Sequence, residues 1–239
     1  MKILALDSSG MAATVAIAGD DRLLAEFTVN YKKTHSQTLL PMLSQAADMI
    51  ELDLKTIDAV AVAGGPGSFT GLRIGSATAK GIGLALEKPL VHVPTLEALA
   101  WNFWGCQDLI CPMMDARREE VYCGIYTFEE GRLRVIADQE ALPVRKLAER
   151  LNAMGKKVIL LGDGSKVHEA LLRELLTAPA LFAPAHLREQ RASSVAACAM
   201  EYIRAGKTES AADHRPTYLR VSQAERERAL REQAKKEKE

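Results

Sequence analysis

The sequence lacks any long apolar run, because charged or polar residues interrupt each one before the roughly 20 residues that a membrane-spanning helix needs. Residues 1–7 contain too short an apolar core for a secretory signal. Cysteines are few and show neither a Cys-x-x-Cys pair nor zinc-ligand spacing: Cys106, Cys111, Cys123 and Cys198. We therefore expect a cytoplasmic protein without a membrane segment, whose cysteines are free thiols in a reducing compartment.

No charge of either sign predominates, since 31 lysines and arginines balance 31 aspartates and glutamates. A protein that binds nucleic acid alone usually carries a basic excess, because neutralising phosphates dominates its affinity. The composition therefore argues against a stand-alone RNA-binding module and predicts that any RNA contact is shared with a partner. The 239 residues, 48% of them apolar, are enough for one large or two modest cores.

A helical histidine pair for metal binding is also missing. Zincin-type sites place two histidines four residues apart on one helix face. No such spacing occurs among the five histidines of this chain: His35, His92, His168, His186 and His214. From spacing alone we predict no metal site.

The first half of the chain has the pattern of a strand meander followed by alternating helices and strands. Apolar or alternating segments predict strands at 3–6, 13–17, 23–29, 59–63 and 90–93. Apolar residues at helical spacing predict helices at 34–50, 70–86 and 95–104. The first strand ends in Asp7, Ser8, Ser9 and Gly10, a polar turn.

The second half repeats this order in part, because another apolar strand, at 109–114, ends in Asp115. Further strands are predicted at 121–128, 133–136 and 158–161, and further helices at 144–154, 167–176 and 193–203. We therefore predict an α/β protein of two lobes, each a mixed sheet with helices against it. The predicted divisions are 1–105, 106–221 and a charged, solvent-exposed tail at 222–239.

Residues 64–75 (GGPGSFTGLRIG) form the most informative motif. A Walker phosphate loop is excluded because the motif has no lysine before its Ser/Thr position. A dinucleotide fingerprint needs an acidic residue after the next strand, and residues 91–93 end that strand without one. In the following helix, small residues recur at every fourth position: Gly71, Gly75, Ala79 and Gly83. Helical glycine costs roughly 1 kcal/mol against alanine, so this stripe predicts close packing, either on the protein's own sheet or on a partner helix.

Four segments together resemble the TsaB (YeaZ) family: the glycine motif, HSQ at 35–37, MDARREEVY at 114–122 and PTYLR at 216–220. They occur in the family's order and extend through Arg220, whereas the charged tail departs from the common core. The resemblance implies an actin-like, Hsp70-like ATPase fold of two lobes. It also implies a function in forming N6-threonylcarbamoyladenosine (t6A37) in tRNA, as the non-catalytic subunit that binds and activates the catalytic paralogue TsaD.

The same resemblance implies the partners. TsaD is expected to dock on the helices at 34–50 and 70–86, and TsaE to complete the complex. The chain is expected to contact tRNA only as part of that complex, and to form a homodimer when it is isolated. The residues predicted for the partner interface are His35, Leu39, Met42, Leu43, Gly71, Arg73, Gly75, Ala79 and Gly83. With the docking of TsaD implied, we favour the partner-helix explanation of the small-residue stripe.

Catalysis is not expected of this chain. The catalytic paralogue holds a metal with two helical histidines, and the matching positions here are Thr95 and Leu99. Asp7, Ser8 and Ser9 match the first phosphate turn of the actin-like fold, so they are the candidate nucleotide-binding residues. We expect no cofactor for the isolated chain, with ATP or ADP and magnesium reserved for the complex. The alternative is an active small-molecule kinase or ATPase of the same fold.

Overall fold

The structure, a computed structural model, describes residues 1–31 and 34–220. The predicted tail at 222–239 therefore lies outside the described residues. Within the described ranges, no helix is long and apolar enough to cross a membrane.

The first sheet has the strand order β3-β2-β1-β4-β5. Its strands are β1 (Lys2–Asp7), β2 (Ala13–Gly19), β3 (Leu23–Val29), β4 (Ala59–Ala63) and β5 (Leu90–Val93). The first three pair antiparallel, and β4 and β5 continue the sheet in parallel with β1. The helices of this half are α1 (His35–Met49), α2 (Phe69–Leu86) and α3 (Thr95–Ala100), with 3-10 turns at Leu54–Thr56 and Trp101–Phe103.

The second sheet has the order β10-β9-β6-β7-β8, which repeats the first sheet strand for strand. Its strands are β6 (Leu109–Asp115), β7 (Glu120–Glu129), β8 (Arg132–Pro143), β9 (Val158–Leu161) and β10 (Ala180–Phe182). The helices of this half are α4 (Val144–Met154), α5 (Asp163–Val167), α6 (Glu169–Leu175), α7 (Ala185–Arg188) and α8 (Ala192–Arg204). The predicted duplication and the actin-like fold class, two mixed sheets flanked by helices, are confirmed.

Alternation along β1 assigns each face of the first sheet to a different layer. Leu4 and Leu6 face α1 and α2, whereas Ile3 and Ala5 face α8. The helix α8, which follows the second sheet along the chain, thus returns to cover the first lobe. The division at residue 105 stays a prediction; it separates the two sheets but places α8 with the second.

The short helix α3 lies between the lobes. Leu96 and Leu99 pack with Tyr126 and Phe128 of the second sheet, and Ala98 packs with the α8 side of the first. Residues of α3 therefore belong to an apolar cluster on the side of each lobe, and we call this packing between the lobes the apolar seam.

Candidate functional site

A cleft of about 540 Å³ separates the lobes. It lies at the carboxyl ends of the parallel strands, where ligands bind in open α/β sheets. The first lobe supplies Ser9 and the loop at 66–69, the second supplies the loop at 114–118 and Asp163, and residues 217–220 close one side. Polar and charged side chains therefore meet here from both halves of the duplicated fold.

The Asp7–Ser9 turn is enclosed by the chain itself, with Asp7 1% exposed, Ser8 2% and Ser9 0%. Asp7 Oδ1 accepts a hydrogen bond from the Ser9 amide at 2.7 Å, and Ser8 Oγ donates to the Gly71 carbonyl at 2.9 Å. The Ser68 amide donates to the Ser9 carbonyl at 2.7 Å. Of the three candidate nucleotide-binding residues, only Ser9 lines the cleft.

The glycine motif explains how this enclosure is built. A Cβ at Gly67 would lie 2.5 Å from the Ser9 carbonyl oxygen, and one at Gly71 would overlap the Ser8 carbonyl oxygen. Only glycine lets the loop and the start of α2 lie directly on the turn. The Ser68 side chain caps α2 by accepting from the Gly71 amide. The motif is therefore a packing device between α2 and the turn after β1.

The rest of the small-residue stripe also faces inward. A Cβ at Gly75 would overlap Ser8 Oγ, Ala79 is fully buried, and a Cβ at Gly83 would overlap Leu90. The prediction that a partner helix lies in this groove is wrong, because the protein's own first sheet fills it.

Burial raises the pKa of Asp7 to about 6, although hydrogen bonds from Ser9 act in the opposite direction. Asp7 Oδ2 has no hydrogen-bond partner among the described residues, so nothing offsets the desolvation of that oxygen. The turn thus keeps an aspartate whose charge is costly in the folded protein.

Asp7→Asn is expected to stabilise the protein near neutral pH. Since the folded pKa lies above the unfolded one, stability from the protonated carboxyl is present below about pH 4 and lost as the pH rises through about 6. Asparagine keeps the acceptor for the Ser9 amide and carries no charge. In urea unfolding, the free energy of unfolding of Asp7→Asn relative to wild type should increase by about 2–3 kcal/mol between pH 4 and pH 7. Parallel stability curves for the two proteins over this range would refute the assignment.

The hairpin between β6 and β7 forms the second lobe's side of the cleft. Arg117, Arg118 and Glu119 all have left-handed backbone conformations, with φ of 66°, 58° and 57°. Such conformations are uncommon for residues other than glycine. Asp115 Oδ1 accepts from the Arg117 amide at 3.0 Å, which fixes the start of this turn. Both arginine side chains line the cleft.

Asp163 lies beneath this hairpin and accepts hydrogen bonds from the Asp115 amide at 3.3 Å and the Gly164 amide at 3.0 Å. Burial raises its pKa, these amide bonds lower it, and the nearby Asp115 carboxylate raises it further. Ser165 Oγ donates to the Gly162 carbonyl at 2.7 Å, and residues 163–167 form α5.

Residues 217–220 join the lobes across the cleft. The Thr217 amide donates to the Gly64 carbonyl at 2.7 Å, and the Tyr218 ring packs on Phe69 at 4.6 Å between centroids. Arg220 donates to the Ala116 carbonyl at 3.1 Å and forms an ion pair with Glu120. The PTYLR motif therefore links the glycine motif of one lobe to the hairpin of the other.

A family model described as "TsaD: tRNA N6-adenosine threonylcarbamoyltransferase" matches residues 22–228. The tRNA threonylcarbamoyladenosine biosynthesis protein TsaB of Bacillus subtilis is 31% identical, over 94% of this chain and 96% of its own length. The chain belongs to the TsaB family. The protein of the same name from Escherichia coli is 30% identical over 92% of this chain and 95% of its own. YeaZ from Pseudomonas aeruginosa is 28% identical and superposes with a TM-score of 0.79, covering 91% of this chain and 99% of its own.

Thr95 and Leu99, the positions expected to correspond to the histidines of the catalytic paralogue, are both buried in packing contacts. Thr95 is fully buried, and its Oγ1 accepts from the Gly65 amide at 3.1 Å. Leu99 is 1% exposed within the apolar seam between the lobes. Neither side chain can act as a metal ligand in this fold.

Most of the predicted interface residues are not at the surface. Leu39, Met42 and Leu43 are 1%, 8% and 5% exposed and pack in the core beneath α1, so their assignment to an interface is wrong, as it is for the four stripe residues. His35 is half-buried, and its Nε2 lies 2.9 Å from the Gly10 carbonyl at the cleft. Arg73 is exposed and stacks over the Phe69 ring at 4.0 Å.

The surface that α1 and α2 do expose is partly apolar. Leu40, Met49 and Leu84 are 54%, 69% and 59% exposed. Ala77 is exposed on α2, and a Cβ at Gly81 would meet nothing within 4 Å. We call these five residues the outer face. Sequence reasoning missed it, although Leu40 and Leu84 are apolar residues out of phase with the buried residues of their own helices.

A histidine–carboxylate cluster lies outside the cleft. His92 on β5 approaches Glu209 and His214, and one ligating atom from each lies within 4.8 Å of the others. Burial lowers the pKa of His92, the nearby His214 lowers it further, and Glu209 raises it. Sequence spacing could not find this group, because the fold assembles it from distant segments.

Proposed function

We propose that this chain is the non-catalytic subunit of the complex that forms threonylcarbamoyladenosine in tRNA, and that it binds and activates a TsaD-type catalytic paralogue in the cytosol. The names of its relatives support the pathway. The observation that carries the binding role is the outer face: three large apolar side chains exposed on two adjacent helices.

The outer face has the chemistry of a helix-docking surface. Ala77, Gly81 and Leu84 recur at helical spacing along the exposed side of α2, and a contiguous exposed apolar surface marks an interaction site more often than isolated side chains do. Ala77 and Gly81 add almost no side chain between Arg73 and Leu84, so another backbone can approach α2 closely. The same surface accounts for the expected homodimer of the isolated chain, whereas TsaE and tRNA meet the chain within the complex.

The enclosed turn supports a non-catalytic role over the alternative of an active kinase or ATPase. Such an enzyme needs its first phosphate turn open to phosphate and magnesium. Here Asp7 and Ser8 are shielded, and the Ser8 hydroxyl is engaged by Gly71. Any ATP or ADP with magnesium would instead use the cleft near Ser9, Asp115 and Asp163 in the assembled complex.

Depleting this protein in its native cell should lower the t6A content of tRNA, measured by mass spectrometry of digested nucleosides. Re-expression of wild type should restore the modification. Asp7→Asn should restore it equally, because Asp7 performs no chemistry in this proposal. Unchanged t6A after depletion would refute the function, and failure of a folded Asp7→Asn variant would favour the ATPase alternative.

A further inference from the structure

The cluster of His92, Glu209 and His214 is held on a rigid frame. Leu90 and Glu209 form an antiparallel bridge with two hydrogen bonds of 2.9 Å, so the segment after α8 is fixed along the edge strand β5. Lys80 Nζ donates to the carbonyls of Ala212 and His214 at 2.8 and 3.2 Å. The backbone that presents two of the three side chains is therefore anchored on both sides.

His214 is the buried member of the cluster, with a side chain 0% exposed. Its Nδ1 lies 2.6 Å from Glu209 Oε1, so a ring nitrogen and a carboxylate oxygen already lie side by side. Its Nε2 is buried and has no hydrogen-bond partner among the described residues. A neutral ring that carries its proton on Nε2 presents the Nδ1 lone pair beside this carboxylate oxygen as a ligand atom.

Gly64 makes room for the second imidazole. A Cβ at this position would overlap the His92 ring, so the first glycine of the motif is explained by the cluster rather than by the turn after β1. The rings of His92 and His214 lie 5.6 Å apart between centroids at an angle of 49°. They are neighbours but are not stacked, and His92 Nε2 lies 3.5 Å from Thr217 Oγ1.

We propose that His92, Glu209 and His214 form a binding site for a divalent transition-metal ion, zinc above all. Two imidazoles and one carboxylate are a ligand set that zinc accepts, with water in the fourth position. The ligating atoms already lie within 4.8 Å of one another, so shifts of about 1 Å bring them to zinc–ligand distances. The bound ion ties the segment after α8 to the edge of the first sheet. This inference replaces the prediction of no metal site, which considered only pairs of histidines four residues apart on one helix.

The test uses the full-length chain, free of affinity tags and stripped with a chelator, titrated with zinc by calorimetry and with Co²⁺ by visible absorption. The variants are His92→Ala and Glu209→Gln. His186→Ala is the matched control, because His186 is exposed and lies outside the cluster. Thermal melting with and without zinc gives a readout independent of activity.

Wild type and His186→Ala should bind one zinc per chain and melt at higher temperature in its presence. Glu209→Gln should bind about 10- to 100-fold more weakly, and His92→Ala should lose both binding and the zinc-dependent shift. If His92→Ala does not fold, Glu209→Gln alone tests the proposal. The Glu209 side chain is partly exposed, so this variant is expected to fold. The proposal is overturned if wild type binds less than one equivalent, or if a folded cluster variant binds as tightly as wild type.

Discussion

Gly75→Arg is expected to unfold the protein, whereas Gly81→Arg on the same helix should leave it folded. A Cβ added at Gly75 would overlap the Ser8 hydroxyl and would lie 3.5 Å from Leu6 and 3.7 Å from Val62. An arginine there both overfills the contact between α2 and the sheet and buries an unpaired charge. We expect a loss of at least about 4 kcal/mol in the free energy of unfolding.

Gly81 is the matched control because an added Cβ meets nothing within 4 Å. Arginine is a better helix former than glycine, so Gly81→Arg should gain up to about 0.8 kcal/mol. The measurement is urea or thermal unfolding of both variants beside wild type. A Gly75→Arg protein as stable as Gly81→Arg would show that the stripe does not pack on the protein's own sheet.

The regular parts of the fold could be predicted from local pattern. Residues 144–154 and 158–161 form the expected helix and strand, because the first segment has apolar residues at helical spacing and the second is a short continuous apolar run. The helix predicted at 167–176 is confirmed as α6, whereas the short helix α5 precedes it at residues for which no helix was predicted. The strand β10 and the helix α7, of three and four residues, are too short to give a periodic signal.

The partner surface shows the limit of the same reasoning. Period alone identifies a stripe on α2 but does not say whether that stripe faces the sheet or solvent. Gly71 and Gly75 are predicted interface residues, yet Ser8 occupies the space beside both. Likewise, the enclosure of Asp7 depends on contacts with α2, more than 60 residues away, which no local pattern reports.

Gly81→Arg is also expected to weaken binding of the TsaD-type paralogue strongly. Gly81 lies in the outer face between Ala77 and Leu84, where a long charged side chain would hold a docking helix away from α2. Any partner that closes over it would also bury an uncompensated charge. Interface centres of this kind cost about 2 kcal/mol or more when disrupted, which corresponds to a loss of at least about 30-fold in affinity.

Val167→Arg is the control for added charge and lost apolar surface. Val167 is 60% exposed at the end of α5 in the second lobe, outside the outer face. The Val167→Arg variant should fold and bind the paralogue as wild type does. If any added surface arginine weakened binding, Val167→Arg and Gly81→Arg would lose affinity alike. If the partner docks on α1 and α2, only Gly81→Arg should lose affinity.

The most direct measurement is calorimetric titration of the purified paralogue, encoded by the same organism, into wild type, Val167→Arg and Gly81→Arg, each first shown to be folded by thermal melting. We predict saturable binding to the first two proteins and an affinity at least about 30-fold weaker for the third. Binding of a folded Gly81→Arg variant with wild-type affinity would contradict the assignment of the outer face as the partner surface.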